Sequence, residues 1–273
     1  MTINKHEQVT GANGNASAGT AELRKRKRMT QRQARRSGKL GRADLHMHST
    51  YSDGIATIEQ ILRYVQHRTN LDVIAITDHN VIEGALRAHD LWAKGSYHFD
   101  FVVGEEVSTN EGHLLALFIE KHIPPNLSME HTIDLVHTQG GIAIVAHPLN
   151  PLFQHSCPRE VLDRIYTTSD VWPDAIETWN ASFCGIYVNR QAMSVNRQIY
   201  GWPEVGNSDA HTLGAIGRGC TWFEGNSALD VRVAIETGRS APGGRLWHLH
   251  DYLRLAGHHL NRQRRRIRRR RVA

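Results

Sequence analysis

The 273-residue chain is 40% hydrophobic and carries a formal net charge of +6. That supports a sizeable core, and no run approaches the roughly 18 apolar residues of a membrane span. The charge is unevenly placed: residues 1–43 hold 11 Lys+Arg and residues 254–273 hold 9 Arg, whereas residues 44–253 hold 13 Lys+Arg against 25 Asp+Glu, a net of −12.

Residues 1–20 are polar and lack the apolar stretch of a secretory signal. Cys157, Cys184 and Cys220 are widely spaced and odd in number, which suits reduced thiols and a cytoplasmic location better than a disulfide framework. From residue 42 onward, β-rich runs alternate with amphipathic segments. The strand-like runs are 42–48, 73–77, 101–107, 113–119, 141–146, 175–180 and 204–210, several of them continuous Val/Ile/Ala/Leu as in strands covered on both faces. Between them, Thr57 with Gln60 forms a capping box ahead of a helix that puts Ile58, Ile61, Leu62 and Val65 on one face. Ser128 caps a helix ending near Gly140, and Ser227 with Asp230 caps one ending near Gly238. Seven strands alternating with helices point to an α/β barrel, or failing that an open doubly wound sheet. The final stripe, Leu246, Leu249, Leu253, Ala256 and Leu260, reads as a helix packed on the barrel.

Polar residues of ligand type gather at the ends of these runs, where the loops of a barrel converge. The runs lead to His46-Met47-His48, Asp78-His79, Glu105-Glu106, His147, Glu177 with Asn180, and Asp209-Ala210-His211. His113 is the exception, since it opens its strand. Alternation along a strand sends His46 and His48 to one side, as it does Asp209 and His211. With Asp53, nine candidate ligands result: His46, His48, Asp53, His79, Glu106, His113, His147, Asp209 and His211. Imidazole and carboxylate without thiolate favour Zn²⁺, Mn²⁺ or Fe²⁺, and nine donors suit two or three divalent ions, with one carboxylate bridging. Asp78 reads as a carboxylate that orients a ligating imidazole. Asn180 and Arg218 are candidates for contact with substrate.

The motifs DLHMHSTYSDG (44–54), TDHN (77–80), GEEVS (104–108) with EGHLLALF (111–118), IVAHP (144–148) and NSDAH (207–211) resemble, in order, those of the PHP (polymerase and histidinol phosphatase) family. IETWNAS (176–182) resembles the subgroup of stand-alone phosphoesterases. The resemblance covers roughly residues 42–240 and implies a distorted (β/α)7 TIM-like barrel with a trinuclear centre. Carried over, His46, His48, Glu106 and Asp209 hold one ion, Glu106 bridges to a second on His113 and His147, and Asp53, His79 and His211 hold a third. Glu105 stands where the family usually has an aliphatic residue. The activity implied is hydrolysis of a small phosphate ester, or a short oligonucleotide, by a metal-bridging hydroxide, with a nuclease or phosphodiesterase acting on RNA or DNA ends as the alternative.

An amidohydrolase would also open on two histidines, but many of those need a bridging lysine, and the body holds only Lys94 and Lys121. A non-catalytic nucleic-acid-binding module is opposed by the complete ligand set. The expected organisation is a disordered basic tail over 1–41, the phosphoesterase domain over 42–245, and an amphipathic helix with a disordered Arg-rich tail over 246–273. Without aromatic residues to stack bases, the basic tails read as binders of nucleic acid or an anionic surface rather than readers of sequence.

Overall fold

The structure, a computed structural model, describes residues 40–153 and 155–270, with the backbone alone for residues 259 and 261–270. The basic segment expected over 1–41 therefore lies almost wholly outside the described residues. Nine strands form one sheet: β1 (Leu40–Asp44), β2 (Val73–Ile76), β3 (Asp100–Thr109), β4 (Gly112–Leu117), β5 (Ile142–Val145), β6 (Ala175–Asn180), β7 (Glu204–Asn207), β8 (Gly219–Glu224) and β9 (Ala241–Gly244), in the spatial order β7-β6-β5-β4-β3-β2-β1-β8-β9. The helices are α1 (Ile58–Arg68), α2 (Glu83–Lys94), α3 (Met129–Thr138), α4 (Arg159–Thr168), α5 (Phe183–Ile186), α6 (Asn189–Val195), α7 (Ala228–Glu236) and α8 (Leu249–Arg270).

The three caps legible in the sequence form. Thr57 and Gln60 exchange both bonds of a capping box, Ser227 and Asp230 do the same, and Ser128 accepts from the backbone N–H of His131. The interior of the sheet is a single apolar cluster with a member from every strand between β1 and β8, including Ala43, Val73, Val102, Leu115, Ile144, Ala175, Val205 and Phe223. A flat sheet could not bring those residues together, so the sheet curls into a nearly closed barrel. Alternate strand residues pack outward on the helices, Ile74 and Ile76 with Ile61 and Leu62 of α1, and Leu114 and Val145 with Ile133 and Val136 of α3.

Two departures from the seven-strand expectation shape the site. β4 runs antiparallel to both β3 and β5, through a hairpin pairing Thr109 with Gly112. Its amino end therefore lies at the rim where the parallel strands have their carboxyl ends, which is how His113 reaches the other ligands while opening its strand. In addition, β8 and β9 follow β7 and continue the sheet past β1, both antiparallel to their neighbours. Closure is tight: a Cβ on Gly206 of β7 would stand 2.9 Å from the Cys220 carbonyl oxygen and from the Gly243 nitrogen. Thr221 of β8 accepts from the Gly206 N–H at 3.1 Å and donates to its carbonyl at 2.9 Å. Above these strands, Met47 bridges to Ala210 in parallel, joining the extension of β1 to that of β7.

The last helix corrects the reading of the leucine stripe. Asp251, Tyr252 and Leu255 form the side turned toward the body, whereas Leu249, Leu253 and Leu260 are 74%, 65% and 56% exposed. The docking is set by Thr212, whose hydroxyl donates to buried Asp251 at 2.9 Å, and that polar anchor fixes the opposite rotation of the helix. Its backbone continues to Arg270, through most of the segment expected as a disordered C-terminal tail.

Because Thr221 is fully buried and its hydroxyl serves both polar groups of Gly206, Thr221→Val should leave that pair unsatisfied at constant shape. We expect a loss of about 2 kcal/mol in urea unfolding; an unchanged midpoint would show that the seam between β7 and β8 does not depend on this hydroxyl.

Candidate metal centre

Glu106 lies at the centre of the rim. On β3 its neighbour Glu105 points the other way, accepting from the Ile123 N–H at 2.6 Å and contacting His122 at 2.9 Å, so the two adjacent carboxylates serve opposite faces of one strand. Glu106 Oε2 is 3.1 Å from His46 Nε2, 3.2 Å from His48 Nε2 and 3.0 Å from His79 Nδ1, and its Oε1 is 2.7 Å from His113 Nδ1 and 3.0 Å from His147 Nε2. One carboxylate thus faces five imidazoles, three across one oxygen and two across the other.

The remaining candidates complete the ring. Asp209 Oδ1 is 3.4 Å from His46 Nε2, 3.2 Å from His48 Nε2 and 3.7 Å from His211 Nδ1. Asp53 Oδ2 is 3.1 Å from His211 Nε2 and 3.7 Å from His79 Nε2, and Asp53 Oδ1 is 3.8 Å from His48 Nδ1. All nine candidate ligands therefore gather in one place. Their donor atoms fall into four overlapping groups able to hold an ion: His46/His48/Asp209, His46/Glu106/His147, His79/Glu106/His113 and His48/Asp53/His79/His211. His113 and His147, expected together, fall in separate groups that share Glu106.

The residues fit metal ions on their own geometry. Among the described residues, His46 Nε2, both ring nitrogens of His48, the Nδ1 atoms of His79, His113 and His147, and Glu106 Oε2 are buried without a hydrogen-bond partner. Several lie at hydrogen-bond distance from a carboxylate yet lack the alignment a hydrogen bond requires. Buried polar atoms left unpaired are costly, and a cation among them would satisfy them jointly. Cys184 belongs to none of the four groups.

The electrostatics are those of carboxylates and imidazoles crowded out of water. Burial opposes charge on His46, but Glu106, Asp209 and Glu177 outweigh it and hold its pKa well above the ordinary value. His48 is raised to about 10, its burial overcome by the carboxylates of Asp209 and Glu106, each 3.2 Å from its Nε2. His79 is lowered to about 4, by burial and by the charge of His48, whose ring stacks on it at 4.4 Å. Burial would raise Glu106, yet His113, His46 and His79 keep it well below the carboxylate range.

A surrounding layer of residues holds the ligands. Glu177 Oε1 contacts His46 Nδ1 at 3.1 Å, and its Oε2 accepts from the His147 N–H at 2.9 Å. Asn180 and Asn207 donate to Glu177, and Ser182 donates to Asp209 at 3.0 Å. Asp78 does not orient an imidazole as expected; it accepts from the Ser49 N–H and the hydroxyls of Ser49 and Ser52, fastening the loop that carries Asp53. His147 and Asp209 both take positive φ, +26° and +52°, a conformation held by these contacts.

Asn180 and Arg218, expected at the substrate, have other work in this geometry. The Asn180 amide is buried and occupied by Glu177, Asp209 and Ser182. The Arg218 guanidinium binds the Leu246 carbonyl at 2.6 Å and His248 at 2.6 Å. Three neighbours carried no motif signal. Trp247 lies with its ring 6.0 Å from that of His211 and donates to the Ser208 carbonyl, while Phe153 and His155 pack on His147 and His113. Glu177 carries two cues in the sequence, its place three residues before Asn180 at the end of a strand-like run and its membership of the IETWNAS motif.

The PHP domain model matches residues 44–168, and the PHP-associated model that accompanies it matches residues 187–240. Two uncharacterized proteins of Methanocaldococcus jannaschii are similar. One is 34% identical over 164 residues, covering 56% of this chain and 90% of the relative; the other is 27% identical over 178 residues, covering 64% and 68%. Among solved structures, a two-domain protein from Bacteroides vulgatus containing a predicted PHP-like metal-dependent phosphoesterase aligns with TM-score 0.58 at 19% identity, over 76% of this chain and 65% of that one. A lesion-specific endonuclease from Pyrococcus furiosus aligns with TM-score 0.53 at 18% identity, over 72% and 56%. At these identities the structures establish a shared fold.

Loading this site must displace protons, because His46, His48 and His147 have pKa values raised above the ordinary imidazole value, and a protonated imidazole cannot ligate. Metal affinity should therefore rise with pH through neutrality. Calorimetric titration of apo-protein with Mn²⁺ or Zn²⁺ in buffers of different ionisation enthalpy should give different observed heats. Identical heats in all buffers would exclude proton release. Glu106→Gln should lower bound metal in elemental analysis, while Glu105→Gln should not.

Proposed function

Since the chain belongs to the PHP superfamily, we propose that it is a metal-dependent phosphoesterase that hydrolyses a small phosphate ester, using two or three divalent ions of Mn, Zn or Fe held by the nine clustered residues. The observation that carries this reading is Glu106, a fully buried carboxylate whose two oxygens face separate sets of imidazoles. That is the arrangement expected of a bridging ligand between adjacent cations.

When bound, the ions supply Lewis acidity toward phosphoryl oxygens and lower the pKa of a coordinated water. The chain's own residues determine where this happens. His46, His48 and Glu106 are sealed from solvent, while the side chains of Asp53, His79 and His211 are 41%, 26% and 13% exposed. The substrate phosphate therefore approaches from the Asp53/His79/His211 side. Glu177, Asn180 and Ser182 keep the imidazoles and Asp209 from turning, and this positioning is the protein's main part in phosphoryl transfer.

Small esters are favoured over polynucleotides by charge. The net −12 of residues 44–253 repels an extended polyanion at long range, whereas a single phosphate can settle among the cations.

Purified protein reconstituted with Mn²⁺, Zn²⁺ or Fe²⁺ should release phosphate from monoesters faster than it cleaves diesters or oligonucleotides assayed in parallel; faster diester cleavage would put the nuclease reading first. Glu106→Gln should reduce turnover at least about 100-fold, the scale of changes to a ligand shell, with Glu105→Gln much milder. If Glu105 proved essential and Glu106 dispensable, the bridging assignment would fall.

A further inference from the structure

The exposed stripe of α8 is not used by the phosphoesterase site. Leu249, Leu253, Ala256 and Leu260 are spaced four, three and four residues apart, which places them along one line of the helix, and all four are exposed. The helix backbone then continues through residues 261–270, seven of which are arginine. No acidic residue follows Asp251, and no aromatic residue follows Tyr252.

We propose that this helix docks the protein onto an anionic lipid bilayer, lying in the plane of the surface. The apolar stripe and the arginine run need a partner that satisfies both. A second copy could cover the leucines, but in neither orientation does it offer a run of acids to meet the arginines, Asp251 being the last acidic residue of the sequence. Nucleic acid could neutralise the arginines, yet it would leave the leucines in water and meet no Phe, Tyr or Trp within the arginine run. A bilayer bearing anionic headgroups takes the leucines into its acyl boundary and the positive charge at its phosphates. At about 1.5 Å per residue the 22-residue helix is roughly 33 Å long, but among the described residues no helix is apolar enough to cross a membrane. It therefore lies on the surface. Trp247, two residues before the helix, has its ring 6.0 Å from that of His211, so docking would hold the rim of the metal cluster close to the membrane. The inference does not depend on the phosphoesterase reading.

The test is vesicle co-sedimentation of the full chain with phosphatidylcholine vesicles, with and without about 30% phosphatidylserine. Wild type should pellet with the anionic vesicles and not the neutral ones, with binding weakening between about 50 and 200 mM salt. The triple variant Leu249→Ser/Leu253→Ser/Leu260→Ser changes exposed positions only, and an unchanged near-ultraviolet circular dichroism spectrum would verify its fold. It should lose at least about tenfold in partitioning while retaining wild-type binding to poly(U) in a filter assay. Unchanged vesicle binding by the triple variant would mean that charge alone accounts for adhesion and would overturn the proposal. So would a loss of RNA binding in parallel, or a wild-type dimer in sedimentation velocity that the triple variant dissociates.

Discussion

A carboxylate with no access to water, surrounded by five imidazoles, is the constraint to which the rest of the barrel answers. Burying Glu106 alone would cost far more than packing could return. Its place on β3 is tenable because five imidazoles surround it, three of them, His46, His48 and His147, with proton affinity raised by the neighbouring carboxylates, and bound cations would supply the same compensation. Those imidazoles come from the extension of β1, the loop after β2, the start of β4 and the end of β5. No local segment could assemble them. Closure of the sheet is therefore a condition for neutralising the site, and the site in turn holds the strand ends at fixed distance.

The second ring of polar groups explains why the imidazoles cannot simply rotate toward solvent. Glu177 joins the His46 ring, the His147 backbone and two asparagines, and Asp209 is held by Ser182 and Asn180. A buried carboxylate with all its partners in place rigidifies its neighbours, whereas one that had lost a partner would be costly. The positive φ of His147 and Asp209 belongs to the same economy of position: local backbone strain is tolerated because several hydrogen bonds converge on each residue. The charge of Glu177 also raises the proton affinity of His46, so this layer sets how much metal is needed to empty the site of protons.

Much of this was legible in the sequence because it follows from local rules. Capping at Thr57, Ser128 and Ser227 needs only residues three apart, and strand alternation alone sends Glu105 and Glu106 to opposite faces. The His-x-His and Asp-x-His pairs announce shared faces in the same way. What stayed hidden depended on long-range partners. The direction of β4 is set by its hairpin with β3 and its pairing with β5, and without it His113 looked out of place. β9, Ala-Pro-Gly-Gly, carries no strand signal at all and is held by Trp222 and Cys220 of β8. Asn180 and Arg218 are the right types for binding phosphate, but residue type could not show that Asn180 bonds to Glu177, Ser182 and Asp209, or that Arg218 reaches Leu246 and His248 about 30 residues on. The leucine stripe of α8 has the period of a packed helix, and the period cannot say which side is packed. The buried Asp251, reaching Thr212 across 39 residues, decides that.

The separation of charge along the chain follows from the same centre. Two or three divalent ions would add about +4 to +6 to a cluster of carboxylates, so the barrel can attract a phosphate without guanidinium groups of its own at the ligands. An arginine placed among those imidazoles would compete with the ions for Glu106 and Asp209. Arg218, seven residues past His211, is instead engaged by Leu246 and His248, where it fixes the chain leading into α8. Metal ions would thus take the anion-binding role inside the barrel, and no lysine or arginine is needed among the nine candidate ligands. A small phosphate in a cation-lined cleft and an extended anionic surface pose different electrostatic problems, one short-range and geometric, the other long-range and screened by salt. This chain places the means for each in a different segment.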